Sequence, residues 1–420
     1  MGETIEHKCP NCGGSLRFDA SSQMVKCPFC DSEFDVELFR PDDGNLVDDL
    51  ASNGGEEWDE KELYGMAEYQ CESCGGNIYS EETTSATLCP FCGNTVILKG
   101  RLTGVLKPDK VIPFKTEKME ALKNLAEHYE NKRFVPKKFK LYNKLEEIKG
   151  LYVPFWIYDA ELKGDVLFQG VDVRRWRSGD TEYTERKYYH VQRKGDIAFD
   201  HVPADGSSKM PDDLMESIEP FYYDESVDFT TAYLSGFVAD KYDIDQEQVR
   251  PRVRERLKEG TADQFMTTVH GYDEVSVMST SIEAVSSNVD YVLYPVWLMN
   301  TEWDGKKFTF AMNGQTGKTV GDLPADMLKL VACTLGTFAL LLAIITGVFG
   351  MIYEDLWSGF YLGVFVGFCS GIAFYSHYRG ALKSVKFQHG ARNYYREGSM
   401  YITFSQDVYH HRTVTSRKIK

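Results

Sequence analysis

Residues 9–30 read CPNCGGSLRFDASSQMVKCPFC, and residues 71–92 read CESCGGNIYSEETTSATLCPFC. Both stretches have the form C-x2-C-x14-C-x2-C, with Gly-Gly after the first cysteine pair and Cys-Pro-Phe-Cys at the end. Eight cysteines at matched positions indicate an internal duplication. The repeat predicts two small β domains, each a ribbon built around one four-cysteine metal site.

Each cysteine pair can place two sulfurs on one side of an ion, and two pairs complete the tetrahedral thiolate set that zinc prefers. The predicted ligands are Cys9, Cys12, Cys27 and Cys30 in the first site, and Cys71, Cys74, Cys89 and Cys92 in the second. Because four thiolates leave no open position for a reacting water, we expect two structural zinc ions. Redox dithiol chemistry is the alternative for any single pair, and the matched sets disfavour it.

The charge of the 420-residue chain, −16 in total, is unevenly distributed. Residues 1–100 hold 6 basic and 20 acidic side chains, whereas residues 329–420 hold 10 basic and 4 acidic ones. An acidic front repels nucleic acid phosphates, and a basic end suits an anionic membrane face. We therefore expect anionic lipid as a partner and nucleic acid to be disfavoured, although the basic and aromatic residues of 379–420 leave RNA binding as an alternative.

Two charge-free segments follow each other near the C-terminal end. Residues 330–353 contain no charged side chain, and residues 356–378 contain none apart from the protonatable His377. About 20 apolar residues cross the hydrocarbon core, so both segments predict transmembrane helices. Only two residues separate them, so the helices must run antiparallel as a hairpin.

The orientation of this hairpin follows from its flanks. Lys329 precedes the first helix, Arg379 and Lys383 follow the second, and the intervening Glu354 and Asp355 carry no positive charge. The positive-inside rule therefore predicts a two-pass protein of the cell membrane with both termini in the cytoplasm. The polar first residues, MGETIEHK, have no apolar core and agree with a cytosolic N-terminal part, where thiols stay reduced.

The second helix carries a strip of glycines at four-residue spacing, which lets another helix approach closely. The strip consists of Gly359, Gly363, Gly367 and Gly371. It either packs inside the hairpin or joins two protomers as a homo-oligomer. Cys333 and Cys369, which lie in the apolar segments, are expected to be packing residues.

The fold class that emerges is multi-domain: two small β zinc ribbons, an α+β cytoplasmic domain, and a transmembrane helical hairpin with a short basic tail. The predicted units are ribbon 1 (1–39), an acidic linker (40–68), ribbon 2 (69–100), the α+β domain (101–328), the hairpin (329–378) and the tail (379–420). The linker reads as solvated, with a short helix near residues 58–69 as the alternative. Within the α+β domain we predict helices near 116–129, 211–218, 229–242 and 246–269, and strands at 152–158, 162–171, 183–191, 274–284, 291–300 and 306–312.

Other candidate motifs carry little chemistry. The stretch from Gly314 to Thr319 has two residues between its glycines where a phosphate loop needs four, so we interpret it as a hairpin turn. His190, His201 and Asp200 could form a catalytic set, but nothing in their spacing requires it. We therefore predict no enzymatic activity, with a membrane-linked enzyme using the region of the two histidines as an alternative.

Several motifs together resemble one bacterial family. They are the paired ribbons, the sequence Tyr-Val-Pro-Phe-Trp at 152–156, Val-Pro-Ala-Asp-Gly-Ser at 202–207, Ile-Glu-Pro at 218–220, and Asn-Gly-Gln-Thr-Gly-Lys at 313–318, ahead of a membrane hairpin. The chain resembles membrane-anchored double-zinc-ribbon proteins of mostly Gram-positive bacteria, labelled transcription-factor-IIB-type zinc ribbon proteins or likened to the replication restart helicase. The resemblance implies a place in an envelope-stress module beside a homologue of phage shock protein A, which membrane partners recruit to the bilayer.

Two functions follow as expectations. The first is a non-enzymatic adaptor that docks cytoplasmic or membrane proteins, such as a phage-shock-protein-A-like protein, at the membrane. The second is a membrane-tethered regulator that binds nucleic acid through its ribbons. The helicase label finds no support, because the sequence has no phosphate loop, and a shared ribbon is a scaffold rather than an activity.

Overall fold

A computed structural model describes residues 9, 11–12, 14, 17–19, 24–34, 50–63, 66–81, 88–130, 132–142, 148–234, 236–353, 356–385 and 390–418. The helices are α1 (Glu60–Leu63), α2 (Lys118–Glu130), α3 (Lys137–Tyr142), α4 (Asp212–Ile218), α5 (Gln246–Met266), α6 (Met327–Tyr353) and α7 (Leu356–Gly380). Strands β1 to β8 are Arg17–Asp19, Met24–Lys26, Glu33–Phe34, Met66–Gln70, Asn77–Glu81, Ile97–Arg101, Lys110–Val111 and Lys149–Ser178. Strands β9 to β15 are Thr181–Asp205, Val227–Asp228, Val238–Asp240, Glu274–Trp303, Lys306–Asn313, Thr319–Val320 and Tyr401–Lys418.

The strands form two sheets. The first cysteine repeat holds a three-stranded antiparallel sheet in the order β1-β2-β3. The second repeat contributes β4, β5 and β6 to a 12-stranded sheet, in which β5 pairs with β11 and β11 runs parallel to β8. The second repeat is therefore continuous with the central domain, whereas the first has a sheet of its own.

Three very long strands dominate the larger sheet. β8 and β12 have 30 residues each and β9 has 25, and β8 pairs antiparallel with both neighbours. At about 3.3 Å per residue, β8 has a contour length of about 100 Å. The separate strands predicted at 152–158 and 162–171 are thus parts of one strand, joined through a β-bulge.

The two related sequences Tyr-Val-Pro-Phe-Trp and Tyr-Pro-Val-Trp lie side by side at the centre of this sheet. Tyr294 of β12 pairs with Val153 of β8, and Pro295 pairs with Tyr152. The neighbouring Trp156 and Tyr291 are both buried and pack with ring centroids 5.0 Å apart. Their aromatic side chains are therefore core residues.

Helix α5 covers one face of the long strands. Asp245 caps its first turn by accepting from the backbone N–H groups of Glu247 and Gln248, which satisfies donors that a helix start otherwise leaves free. The helix continues through Pro251 to Met266. A side chain at Gly164 of β8 would meet Thr261 at 2.7 Å, so glycine permits this close helix–sheet packing.

A buried ion pair joins several segments that the sequence singled out. Arg256 of α5 donates two hydrogen bonds to Glu219, at 3.1 and 3.0 Å, and Tyr394 donates to the same carboxylate at 2.6 Å. Asn313 donates to the carbonyl oxygens on both sides of this glutamate, and Lys318 donates to the Glu219 carbonyl itself. The glycine-rich stretch after β13 is a hairpin turn between β13 and β14, as predicted. The contacts by which it holds the 218–220 segment were not predicted.

Helices α6 and α7 are long and apolar enough to cross a membrane, and their described apolar side chains are largely exposed, which fits a membrane anchor. The base of this hairpin is fixed to the domain. Asp326, just before α6, donates its N–H to the carbonyl of Phe134 at 2.7 Å, and Tyr378 of α7 packs edge-on against the Phe134 ring. Ser384, just after α7, exchanges two hydrogen bonds of 2.8 Å with Gly321.

The glycine strip faces α6 of the same chain. An added Cβ at Gly359 would lie 2.5 Å from Phe349, and one at Gly363 would lie 2.9 Å from Leu342. The strip therefore packs inside the hairpin, which is the first of the two alternatives predicted from the sequence. Cys333 and Cys369 are exposed on the outer surface of the helices, so the prediction that they are packing residues is wrong.

Three further predictions need correction. Residues 229–242 form a 3-10 turn (Thr231–Leu234) and β11 instead of a helix, because Leu234 and Ala239 are buried against the sheet. In the predicted linker, residues 40–49, 64 and 65 lie outside the described ones. Leu50 is buried and Trp58 packs on the core, so the described part of the linker is attached to the domain, although most of its polar side chains are exposed. In the predicted tail, residues 401–418 form β15, which extends the sheet by pairing with β9.

Candidate metal centres

Each cysteine repeat brings its four sulfurs together. In the first site, the Sγ atoms of Cys9 and Cys30 are 3.6 Å apart, and those of Cys12 and Cys27 are 3.4 Å apart. In the second site, Cys71 and Cys92 are 3.5 Å apart, and Cys74 and Cys89 are 3.6 Å apart. Within each site, all four sulfurs lie within 4.8 Å of one another.

These separations suit a metal ion at the centre. Four sulfurs at about 2.3 Å from a tetrahedral ion lie about 3.8 Å from each other. None of the eight cysteines is in a disulfide, although the four sulfurs of each site lie close together. The structure therefore confirms that the sequence-predicted ligands form two groups that can hold metal ions.

Tight turns at the cysteine pairs aim backbone N–H groups at the sulfurs. Gly75 and Gly93 have positive φ angles of 72° and 79°, and Asp31 takes the same conformation at 55°. Glycine adopts this left-handed region without strain, and aspartate tolerates it. The three positions therefore close the same turn after the second cysteine of three of the four pairs.

Hydrogen bonds from the backbone lower the pKa of one thiol in each site. Burial raises the pKa of Cys71, but the backbone N–H groups of Cys74 and Ser73 and the neighbouring thiols outweigh it and bring the pKa to about 7. Cys27 follows the same balance in the first site, where the N–H groups of Phe29 and Cys30 lower its pKa to about 7. Each site thus contains a thiol prepared for the thiolate form that binds metal.

Contacts that the sequence did not indicate hold the second site on the domain. Lys149 at the start of β8 donates to the carbonyl of Cys89 at 3.2 Å, and Lys209 donates to the carbonyl of Cys74 at 3.0 Å. Asn300 of β12 donates to the carbonyls of Pro90 and Phe91. The sheet therefore fixes both cysteine turns of the second site.

The first site sits on the sheet through histidines. The ring of Phe34 stacks on His190 of β9 at 5.8 Å and meets His410 of β15 edge-on at 5.6 Å. Asn11, between two ligands of the first site, donates to Nε2 of His410 at 2.8 Å and accepts from Gln169 at 3.1 Å. Burial and the nearby His410 and His411 lower the pKa of His190 to about 4, so this contact is made by neutral rings.

The candidate catalytic set does not assemble. His190 belongs to the docking contact of the first site, eleven residues before His201 on the same strand. His201 stacks on Tyr223 with ring centroids 4.0 Å apart, and Asp200 forms an ion pair with Arg396. The two histidines therefore serve separate contacts, in keeping with structural roles.

A cavity of about 660 Å³ lies beside the second site, away from both histidines. It is lined by the rings of Phe114, Phe237 and Trp297 and by Leu88. The charged side chains of its lining are Lys115, Lys118, Lys149 and Glu117. No histidine or cysteine lines it among the residues described here.

The comparisons bear on this two-site, two-helix architecture. No protein-family model and no solved structure matches the chain. The chain is 34% identical over 330 residues to the uncharacterized protein YdjG of Bacillus subtilis strain 168, and the match covers 78% of this chain and 92% of YdjG.

The chain belongs to the YdjG family. YdjG is itself uncharacterized, so membership of its family establishes common ancestry alone. Two four-cysteine groups and two apolar helices are the features of this chain that agree with a membrane-anchored double-ribbon protein. A function has to be inferred from how those features are joined.

Proposed function

We propose that this member of the YdjG family is a non-enzymatic adaptor that docks cytoplasmic proteins at the membrane. The observation that carries the proposal is that the two cysteine groups, the large sheet and the helical hairpin are attached to one another. Two metal groups without an open ligand position are fixed to one sheet, and that sheet is fixed to an apolar helical hairpin. Such an arrangement presents rigid surfaces at a set distance from a bilayer.

In this proposal both metals are zinc, and both are structural. Four thiolates in a compact group are the ligand set that zinc takes in closed ribbon sites. Each ribbon is too small to fold on apolar burial alone, so binding of the ion supplies folding free energy. The ribbons are then rigid platforms for a partner.

The proposed topology places both termini in the cytoplasm. Lys329, Arg379 and Lys383 lie at the base of the hairpin, where they meet anionic lipid head groups. β15 runs along the sheet, so its basic residues face a cytoplasmic partner and not the bilayer. A phage-shock-protein-A-like protein is one such partner, and recruitment of it would place the chain in an envelope-stress response.

Crosslinked affinity purification of the full-length protein from its own membranes, followed by mass spectrometry, tests the adaptor function. The test variant carries Cys71→Ser and Cys74→Ser, which remove two ligands of the second site. The matched control carries Cys333→Ser and Cys369→Ser, which change two exposed cysteines outside both sites.

We expect the wild type and the control to capture the same specific protein, and the test variant to lose it. Empty captures from the wild type would refute the adaptor function, as would turnover of a substrate by the purified protein. Capture of nucleic acid or of polymerase subunits would favour the alternative, a membrane-tethered regulator.

A further inference from the structure

The far end of the large sheet is a three-stranded arm. β12 begins at Glu274, opposite Val171 of β8, and beyond this pair only β8, β9 and β15 continue in the described part of the chain. We define the arm as residues 172–178, 181–187 and 411–418. β8 carries it away from the base of the helical hairpin, because residue 149 of that strand lies close to the base and residue 178 lies at the tip.

The arm is basic in an acidic protein. Residues 172–187 hold five basic and four acidic side chains, and residues 411–418 hold three basic and no acidic ones. The arm with its turn therefore has a net charge of +4 (8 − 4), whereas the whole chain has −16. This reversal of sign marks the arm as a surface for an anionic partner.

The register of the three strands places four arginines on one face. Arg177 of β8 lies opposite Glu182 of β9, which lies opposite Arg417 of β15, and residues two positions apart share a face. The same face therefore carries Arg175 and Arg186. We call this set, Arg175, Arg177, Arg186 and Arg417, the arginine face.

The first metal site sits at the foot of the arginine face. His190 and Gln169, which contact Phe34 and Asn11 of that site, lie on this same side of β9 and β8. His190 is four residues from Arg186, a distance of about 13 Å along the strand. A partner on the arginine face would therefore also touch the ribbon.

Most of the positive charge on the arginine face is not held in ion pairs with described residues. Arg186 pairs with Glu274 at 2.9 Å, whereas Arg175, Arg177 and Arg417 have no carboxylate partner among the residues that the structure describes. These three side chains are exposed. An arginine on a flat sheet offers a planar fork of donors that fits a carboxylate with two hydrogen bonds.

The remaining side chains decide between two kinds of polyanion. Between the arginines, the face carries one carboxylate, that of Glu182, and otherwise Thr184, Thr413, Thr415 and Val173, so it keeps an excess of positive charge and suits an extended peptide. The aromatic rings of the tip, Trp176 and Tyr183, stack on the opposite face, so the arginine face lacks the platforms on which bases of single strands stack. We propose that the arginine face binds an acidic, extended segment of a protein partner, an inference that rests on the proposed docking function.

Fluorescence anisotropy of the full-length protein in nanodiscs of neutral lipid tests this site. The probe is a labelled peptide of alternating Glu and Ser, and a peptide of alternating Gln and Ser is the neutral control. Arg175→Gln with Arg177→Gln removes two charges from the arginine face. Arg174→Gln with Lys187→Gln removes two charges from the opposite face of the same strands and serves as the matched variant.

We expect the acidic peptide to bind, the neutral peptide not to bind, and the first variant to weaken binding by about tenfold or more. The matched variant should weaken binding of the acidic peptide by less than about threefold. Equal losses in both variants would show diffuse attraction and overturn the proposal. Tighter binding of a single-stranded oligonucleotide that depends on the same two arginines would overturn it in favour of a nucleic-acid face.

Membrane capture with the same variants separates this inference from the docking function itself. If the wild type captures a partner and Arg175→Gln with Arg177→Gln captures it equally well, docking stands and the arginine face is not its site. If the wild type captures no partner, the docking function fails. Because all four altered residues lie on the exposed arm, unchanged Tm values should confirm that both variants are folded.

Discussion

At the scale of single residues, the two metal sites differ in how they are attached. The second site is tied to the sheet by hydrogen bonds from Lys149, Lys209 and Asn300, and its strands belong to the sheet. The first site has its own three strands and rests on the histidines of β9 and β15. Loss of metal should therefore have unequal consequences.

Metal analysis and thermal unfolding of two matched variants test this difference. We expect the wild type to contain two zinc ions per chain, and Cys12→Ser and Cys74→Ser each to lose one. Because β5 pairs with β11 in the large sheet, Cys74→Ser should lower the Tm of the main transition, whereas Cys12→Ser should leave it nearly unchanged. Equal lowering of the main Tm would show that the first ribbon is as integral as the second.

The buried ion pair between Arg256 and Glu219 gives a second prediction at this scale. Both side chains are almost completely buried, so Glu219→Gln leaves a buried guanidinium without its counter-charge. We expect the free energy of unfolding to fall by about 3 kcal/mol or more, measured by denaturant unfolding in nanodiscs.

Glu161→Gln provides the matched control for that measurement. Glu161 pairs with Arg396 at 3.1 Å, but it is half-exposed, so its loss should cost no more than about 1 kcal/mol. Comparable losses in the two variants would contradict the view that the Arg256 network is the buried anchor of the 218–220 segment.

At the scale of elements, the helical hairpin depends on the close approach that glycine allows. A side chain at Gly363 would meet the backbone of Leu342 at 3.2–3.3 Å, whereas one at Gly336 of α6 would meet nothing within 4 Å. We therefore expect Gly363→Ile to separate the helices and lower stability by about 1–3 kcal/mol, and Gly336→Ile to have little effect through packing.

Proteolysis of the hairpin in nanodiscs, together with the yield of membrane-inserted protein, measures this difference. The two variants add the same side chain to a transmembrane helix, so an effect of bulk or hydrophobicity alone would appear in both. If Gly336→Ile were the more damaging change, the outer face of α6 and not the glycine strip would be the tight contact.

Sequence patterns were informative where one physical constraint dominates. The cysteine spacing predicts both metal groups, because four sulfurs must meet around one ion, and charge-free length predicts α6 and α7. The spacing of the apolar side chains at 119–129 predicts α2, which begins at Lys118. Each of these features is encoded within a short stretch of chain.

Long-range pairing was not predictable in the same way. The arm is exposed on both faces, so it lacks the apolar alternation that reveals a half-buried strand. The helix predicted at 229–242 failed because burial of Leu234 and Ala239 against the sheet outweighs local helix preference. The histidine contacts of the first site join residues more than 150 positions apart, and no local pattern records them.

At the scale of the whole molecule, the proposed adaptor connects a bilayer to the cytoplasm. The hairpin is fixed at its base by the loop at Phe134 and by Ser384, the sheet carries both metal groups, and the arm lies at the far end. This arrangement requires the domain and β15, which flank the hairpin in sequence, to be on one side of the membrane. The pairing of β15 with β9 is itself incompatible with a single or triple crossing between them.

The topology of the hairpin is therefore the most direct test. Epitopes are placed at the N-terminus, at the C-terminus and between Tyr353 and Leu356, and each tagged protein is exposed to protease in right-side-out and inside-out membrane vesicles. We predict that both terminal epitopes are cleaved only in inside-out vesicles and that the central epitope is cleaved only in right-side-out vesicles. Terminal epitopes on opposite sides, or release of the protein from the membrane by alkaline carbonate, would contradict the account of a membrane-anchored cytoplasmic adaptor.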